Sequence, residues 1–382
     1  MHSYLMKRIL IITGNFEIGG SRTSLCSLLS VLDPKTVEVD VFAREHVGPL
    51  KDNMQNCRIL PESIWLSHRI IEGNIASKCI CKLLYLLRGI LQIIGIDLFR
   101  LYNWVGGKII NSDKYDAVIG FDETLPRFVS SIPAKMRITW LHCDYRRHIN
   151  GGDETEYLNR IDKIVCVSKF AEDTLLEVCT QYKNKTVVIH NAINIEDITA
   201  KSRLYDPNAD KLFEDDKKFT LISIGRLDPV KQFEKIPALA FEVKRILNGM
   251  HKFQWLIIGG ANDSVKLEIE NEIEKYGVCD EVKLLGMQSN PYPYLAKSDL
   301  YVCTSSSETF SYTIHEGLAL RVPFLCNTFP SASESVHVGQ EGYILSLEEM
   351  PMKIVEQIKH PLKIKECTIS NDKILNDFYN LI

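Results

Sequence analysis

The sequence predicts an α/β protein built from two doubly wound domains, on three observations. The chain has 382 residues, more than one ordinary core organises, so two domains are expected. Short β-type runs alternate with amphipathic helical segments through both halves, the pattern of parallel sheets covered by helices. A polar, charged stretch from Asn191 to Lys218, holding Asp206-Pro-Asn-Ala-Asp210 and Glu214-Asp-Asp-Lys217, interrupts that alternation near the middle. The expected division is 1–195, 196–365, and a helical segment in 366–382 whose docking is left open, a return to the first domain included.

In the first half the β-type runs are Ile9–Thr13, Val37–Phe42, Ala117–Phe121, Arg137–His142, Lys163–Val167 and Thr186–Ile189. Each is a nearly continuous apolar stretch, as strands buried on both faces require. The second half repeats the theme with Phe219–Ile224, Gln254–Ile258, Val282–Leu285, Leu300–Cys303 and Pro323–Cys326, separated by amphipathic segments such as Lys231–Leu247 and Val265–Tyr276. At the end, Ile374, Leu375, Phe378, Leu381 and Ile382 recur at helical spacing.

The chemistry gathers in the turns after strands. Ser305 to Pro323 joins a buried strand to a helix expected to begin near Ser311 or Tyr312, and it carries Glu308 and Glu316 beside backbone N–H groups of the kind that bind phosphate. A Glu-x7-Glu spacing alone arises by chance, with Glu308 then a turn or capping group and Glu316 a solvated helix residue. The loop Ser223-Ile-Gly-Arg-Leu-Asp-Pro-Val-Lys231 adds Arg226, a fork of donors, and Lys231, a mobile point charge. Both could instead be surface residues pairing with Asp228 and Glu234. Taken with the 305–316 turn, they make an anion site at the carboxyl ends of parallel strands. After the first strand, Thr13-Gly-Asn-Phe-Glu-Ile-Gly-Gly-Ser21 is glycine-rich but lacks the G-x-G-x-x-G spacing of a dinucleotide fingerprint. It reads as a turn that lets the backbone approach a ligand.

Taken in order, Gly19-Gly20, Trp140-Leu-His142, Val167-Ser168, Asn191, Gly225-Arg226 with Lys231, and Glu308-x7-Glu316 resemble the retaining glycosyltransferases of family 4. That resemblance implies the GT-B fold, two Rossmann-like domains facing a central cleft, with 1–195 on the acceptor side and 196–365 binding the nucleotide-sugar, and transfer of a sugar from a nucleotide-diphosphate donor, UDP before GDP. It assigns Arg226 and Lys231 to the donor diphosphate, Glu316 to the ribose hydroxyls and Glu308 to the donor sugar. Backbone amides of Phe310, Ser311, Tyr312, Thr313 and Ile314 would bind sugar and phosphate, Gly286, Met287 and Gln288 would lie beside the base, and Gly19 and Gly20 would approach the donor. His142 would reach the transferred sugar from the opposite domain; its other reading is a hydrogen-bonded histidine at a strand end. No metal and no cofactor are implied, the nucleotide-sugar being a substrate. The chain departs from the family pattern at Thr309, Gln232 and Ala192, where Gly is common. Two rivals keep a similar fold: a catalytically silent nucleotide-sugar-binding subunit and a nonhydrolysing sugar-nucleotide epimerase.

The resemblance also favours an acceptor that is a saccharide or lipid-linked saccharide in surface polysaccharide synthesis. Residues 78–108 set Lys78, Lys82, Arg88, Arg100 and Lys108 among large apolar side chains. They fit a segment lying on an anionic membrane surface, or an ordinary helix pair broken at Gly95. The longest apolar stretch, Leu83–Phe99, contains Arg88 and Asp97 and is short for a membrane span. The start of the chain shows neither an apolar h-region nor a small-residue cleavage site, so a cytoplasmic protein is expected, peripheral on the inner face of the plasma membrane if the segment binds there. Eleven scattered cysteines read as reduced thiols, mostly in apolar runs, and Cys79 with Cys81 lacks a second ligand pair for zinc. Lys+Arg 45 against Asp+Glu 49 gives a formal charge of −4, which argues against nucleic acid as a partner.

Overall fold

The computed structural model describes residues 6–63, 75–94, 110, 114–148, 155–207, 211–215, 218–260, 263–334 and 336–382. The chain divides into two compact units, one formed by Met1–Ala192 with Asn371–Ile382 and the other by Ile193–Ser370.

The first unit is built on a parallel sheet of seven strands: β1 (Lys7–Thr13), β2 (Val37–Ala43), β3 (Arg58–Ile59), β4 (Ala117–Gly120), β5 (Arg137–Leu141), β6 (Lys163–Cys166) and β7 (Thr186–Val188), in the order β3-β2-β1-β4-β5-β6-β7. Ile9, Leu10, Ile11 and Ile12 of β1, an interior strand, are fully buried, which explains an apolar run without alternation. Two-residue β3 has no apolar pattern to betray it. It is fastened at the edge by the bidentate Arg58 guanidinium on buried Asp40 of β2, at 2.8 and 2.6 Å. Burial would raise the Asp40 carboxyl, yet the hydrogen bonds and charges of Arg58, Tyr115 and Lys114 hold it below the ordinary value.

The helix Asp372–Leu381 belongs to this unit. Phe378 is fully buried with its ring centroid 6.2 Å from that of Trp140, and the Asp33 N–H donates to the Tyr379 hydroxyl at 2.9 Å. The helix Ile75–Ile93 covers part of the segment in which a membrane-facing stretch or a helix pair is expected. Residues 95–108 of that expectation lie outside the described residues, and no described helix is long and apolar enough to cross a membrane.

The second unit has six parallel strands: β8 (Lys218–Ile224), β9 (Lys252–Ile258), β10 (Val282–Gly286), β11 (Leu300–Cys303), β12 (Phe324–Cys326) and β13 (Gly342–Ile344), in the order β10-β9-β8-β11-β12-β13. The helix Ile236–Leu247 packs Ile236, Leu239, Ala240, Val243 and Leu247 into a core with Trp255 and Ile257. It starts five residues later than the amphipathic pattern from Lys231 suggests, because Gln232 is left-handed (φ 52°) and splits the approach into two short 3₁₀ turns. The polar stretch read as a linker also holds structure. Ile195–Lys201 is a helix capped by the Asn194 side chain, which accepts from the Asp197 N–H at 3.0 Å. Its buried anchors, Ile193 and Ile198, are too few to register as a periodic signal. Cys166, Cys179, Cys303 and Cys326 are buried, whereas Cys79, Cys279 and Cys367 are exposed, so the expectation of thiols in apolar runs holds for part of the set.

Candidate active site

In each sheet the strand order reverses beside the first strand, between β1 and β4 in one unit and between β8 and β11 in the other. Open parallel sheets bind ligands outside the carboxyl ends of strands at such a point.

In the second unit, β8 ends in Ile224 and leads through Gly225 and Arg226 to Asp228, whose carboxylate accepts from the Val230 N–H at 3.0 Å and starts the turn Pro229–Lys231. The loop after β11 grips this turn. Ser306 N–H donates to Val230 O at 2.9 Å, and Thr304 Oγ1 donates to Lys231 O at 2.7 Å. With both backbones fixed, Lys231 Nζ lies 2.5 Å from Glu308 Oε1, which also accepts from Ser305 Oγ at 2.7 Å. The two ion-pair side chains are 24% and 13% exposed. Burial works against the Lys231 ammonium, but Glu308 more than offsets it, so the amine's pKa rises. The turn is braced from behind by Ser331 Oγ on Glu308 O at 2.7 Å and Asn327 Nδ2 on Ser305 O at 3.1 Å.

The helix Tyr312–Ala319 follows, with Ser311 at its N-cap and no side chain capping its first N–H groups. These N–H groups and the helix dipole make an electropositive end. Phe310 stacks on His315 at 4.3 Å, and His315 Nδ1 lies 2.7 Å from Ser311 O, which fixes the approach of the turn to the helix. Thr313 and Ile314 sit in its first turn, Ile314 buried. One turn further, Glu316 accepts from the Tyr292 hydroxyl at 2.9 Å. Burial raises its pKa, against the pull of Tyr292 and Lys201.

The remaining sequence-predicted residues are placed less tightly. Arg226 is 84% exposed and no nearer than 3.9 Å to Asp228, so the fold brings Lys231 and Glu308 together and leaves Arg226 extended into solvent. Gly286 takes φ +69°, a conformation open to glycine, and turns β10 towards exposed Met287, while Gln288 Nε2 donates to Leu285 O at 3.0 Å. In the first unit, Gly19 is the N-cap of the helix Gly20–Val31, and the Arg22 guanidinium lies over Gly14 and Gly19, 3.5 Å from where a Cβ would stand on either. His142 follows β5, its ring 5.2 Å from that of Phe121. Burial and the charge of Arg22 lower its pKa to about 3, so the imidazole is neutral at pH 7.

Sequence reasoning missed Tyr292, Ser305, Ser331 and the pair Gly259-Gly260. Tyr292 and Ser331 reach their partners from more than twenty residues away, with no local signal, whereas Ser305 lies three residues before Glu308 in the same turn. The glycines did carry a signal, a doublet directly after β9: a Cβ on Gly259 would stand 2.0 Å from Gly225 O, so only glycine lets these two strand ends meet.

Two all-parallel, Rossmann-like units in one chain define the GT-B class of fold. Anabaena Alr3699/HepE, solved in complex with UDP and glucose, superposes with a TM-score of 0.69 over 99% of each chain at 16% identity. Residues 206–371 match the family model for glycosyl transferases group 1. An uncharacterized glycosyltransferase of Methanocaldococcus jannaschii is 30% identical over 153 residues, 39% of this chain and 36% of the relative. The N-acetylgalactosamine-N,N'-diacetylbacillosaminyl-diphospho-undecaprenol 4-alpha-N-acetylgalactosaminyltransferase of Campylobacter jejuni is 28% identical over 186 residues, 49% of this chain and 47% of the relative. The chain thus spans less than half the length of each of these two curated relatives.

Proposed function

We propose that the chain is a retaining, metal-independent glycosyltransferase that moves a sugar from a UDP-sugar to a saccharide or lipid-linked saccharide acceptor in surface polysaccharide synthesis. The observation that carries this reading is the Lys231–Glu308 pair at the carboxyl ends of β8 and β11, inside the residues that match the glycosyltransferase model. The UDP held by the HepE neighbour and the undecaprenol-linked substrate in the name of the Campylobacter relative support the donor and acceptor classes.

Breaking an anomeric bond to a diphosphate loads negative charge on the leaving phosphate. Lys231, Arg226 swinging in from solvent, and the uncapped N–H groups around Thr313 stabilise that charge without a metal; each such donor is worth ~3 kcal/mol of transition-state stabilisation. Glu316 takes the ribose hydroxyls, Glu308 faces the donor sugar, Gly286 to Gln288 flank the base, and Gly19, Gly20 and His142 meet the donor and its sugar. A thermal-shift panel of UDP, GDP, ADP and CDP with their sugar conjugates tests the donor, since a ligand of the folded state raises its melting temperature. Proton NMR of the product's anomeric centre tests retention. Wild-type transfer rates in folded Arg226→Ala and Glu308→Gln variants would overturn the assignment.

The same reading includes a membrane seat on the helix Ile75–Ile93. Leu83, Leu86, Leu87, Ile90 and Ile93 recur at helical spacing and are 47–85% exposed, and the segment 75–94 carries Lys78, Lys82 and Arg88 with no acidic residue. Such a face fits an anionic bilayer surface. Co-sedimentation with anionic but not neutral vesicles, lost in Leu86→Glu/Ile90→Glu, is the expected result; no binding to either removes the seat.

A further inference from the structure

The segment that leaves β10 is fastened at two points after Gly286, Met287 and Gln288. Asn290 Nδ2 donates to Lys201 O at 2.8 Å, tying the segment to the end of the helix Ile195–Lys201, and Asn290 Oδ1 accepts from the Tyr292 N–H at 3.3 Å. This Asx turn opens the short helix Tyr292–Lys297. The Tyr292 ring then packs on the cluster of Ile193, Ile198 and Ala319, together with Phe310 and Tyr312. Ala319 stands about one turn beyond Glu316 in the helix Tyr312–Ala319, on the same face. The ring is therefore seated against the face that carries the carboxylate.

From that seat the Tyr292 hydroxyl donates to Glu316 Oε1 at 2.9 Å. A phenol has one proton to give, and here it goes to this oxygen, which leaves the other carboxylate oxygen to accept from a ligand. Burial raises the Tyr292 pKa well above its ordinary value, and the charge of Glu316 and the hydrogen bond to it raise it further, so the hydroxyl stays protonated and remains a donor. The contact favours the charged form of a carboxyl that burial drives toward the neutral one, an effect that Lys201 shares. It also fixes a long, rotamer-rich side chain in advance, which lowers the entropic cost of binding to it.

We propose that Tyr292 is a positioning residue that gives the second unit its preference for a nucleotide with ribose hydroxyls, by holding the Glu316 carboxylate in place to accept from them. This deepens the glycosyltransferase reading and rests on its assignment of Glu316 to the ribose. Ring and hydroxyl have separate roles: the ring packs, and the hydroxyl reaches Glu316. Tyr292→Phe keeps the first and removes the second.

The experiment measures the affinity of the full chain for UDP and for 2′,3′-dideoxy-UDP by calorimetric titration. It compares the wild type with Tyr292→Phe, Glu316→Gln, their double variant and Asn290→Ala, each checked for native melting. The wild type binds UDP about tenfold or more tighter than the dideoxy nucleotide, as the loss of hydrogen bonds to a charged group requires. Tyr292→Phe narrows that ratio by about threefold or more. Glu316→Gln narrows it as well, and adding Tyr292→Phe changes it no further, because a residue that acts through Glu316 then has nothing to act on. Asn290→Ala frees the segment without touching the phenol and narrows the ratio in the same direction; if Tyr292→Phe does not fold, an unchanged ratio in Asn290→Ala overturns the proposal. Equal weakening of both nucleotides in Tyr292→Phe, with the ratio unchanged, means that Tyr292 only packs, and overturns the positioning role while the donor reading stands. A wild type that binds UDP and its dideoxy form alike overturns the assignment of Glu316 to the ribose and the proposal with it. A wild type that binds neither overturns the UDP-donor reading and the proposal together.

Discussion

Lys231 and Glu308 offer the sharpest test of how the second unit is held. At 2.5 Å and an effective dielectric near 20, their bare attraction is about 6–7 kcal/mol. Most of that is offset by taking the two charges out of water, and side chains 24% and 13% exposed stay partly screened. A net coupling of about 1.5–3 kcal/mol remains. Lys231→Met leaves Glu308 with Ser305 as its only remaining side-chain donor in the hydrogen bonds above, and Glu308→Gln leaves an ammonium whose charged neighbour, Arg226, is also positive. Each single change therefore costs about 2–3 kcal/mol, while the double change costs less than their sum by the coupling energy. Native-state hydrogen exchange at the β8 and β11 amides reads the stability of this unit without requiring the whole chain to unfold in one step. If the two single costs add to within about 0.5 kcal/mol in the double variant, the pair is a surface contact and the electrostatic account of the site fails.

Three further outcomes follow from the geometry. Gln232→Gly removes a left-handed non-glycine residue with a buried, unpartnered Oε1 and should stabilise the second unit by about 0.5–1 kcal/mol in the same exchange measurement; a loss of stability would refute the strain argument. His142 has a folded pKa of about 3 against an ordinary 6.5, so its contribution is full above pH 6.5 and is lost as pH falls toward 3. Urea unfolding of the first unit should show about 2 kcal/mol lost between pH 7 and 5 from this group, and His142→Asn should flatten that part of the profile. Phe378→Ala opens a cavity beside Trp140 and should cost the first unit about 3–5 kcal/mol; a loss under about 1 kcal/mol would mean the helix Asp372–Leu381 is only loosely docked.

The sequence made the strands legible because parallel strands covered on both sides must be apolar throughout, as in Ile9–Ile12 or Trp255–Ile258. Edge strands escaped: β3 is two residues pinned by an ion pair, and Gly342–Ile344 is a three-residue strand at the other sheet's edge. At the site, charged residues in strand-end turns pointed to Lys231 and Glu308, but spacing could not say that Arg226 would stand away from them. Nor could it find Tyr292 on Glu316 or Ser331 behind Glu308, partners supplied by distant segments.

The return of the helix Asp372–Leu381 to the first unit has a consequence for biosynthesis. Phe378 fills a place beside Trp140, a residue made well over two hundred positions earlier. At ordinary elongation rates of about 5–20 residues per second, the roughly 180 residues of the second unit take about 10–40 s to emerge. For that time the nascent first unit has an open apolar gap, and a chaperone that holds this gap, or a stall within the second unit, acts on a half that is already complete in sequence except for its final helix.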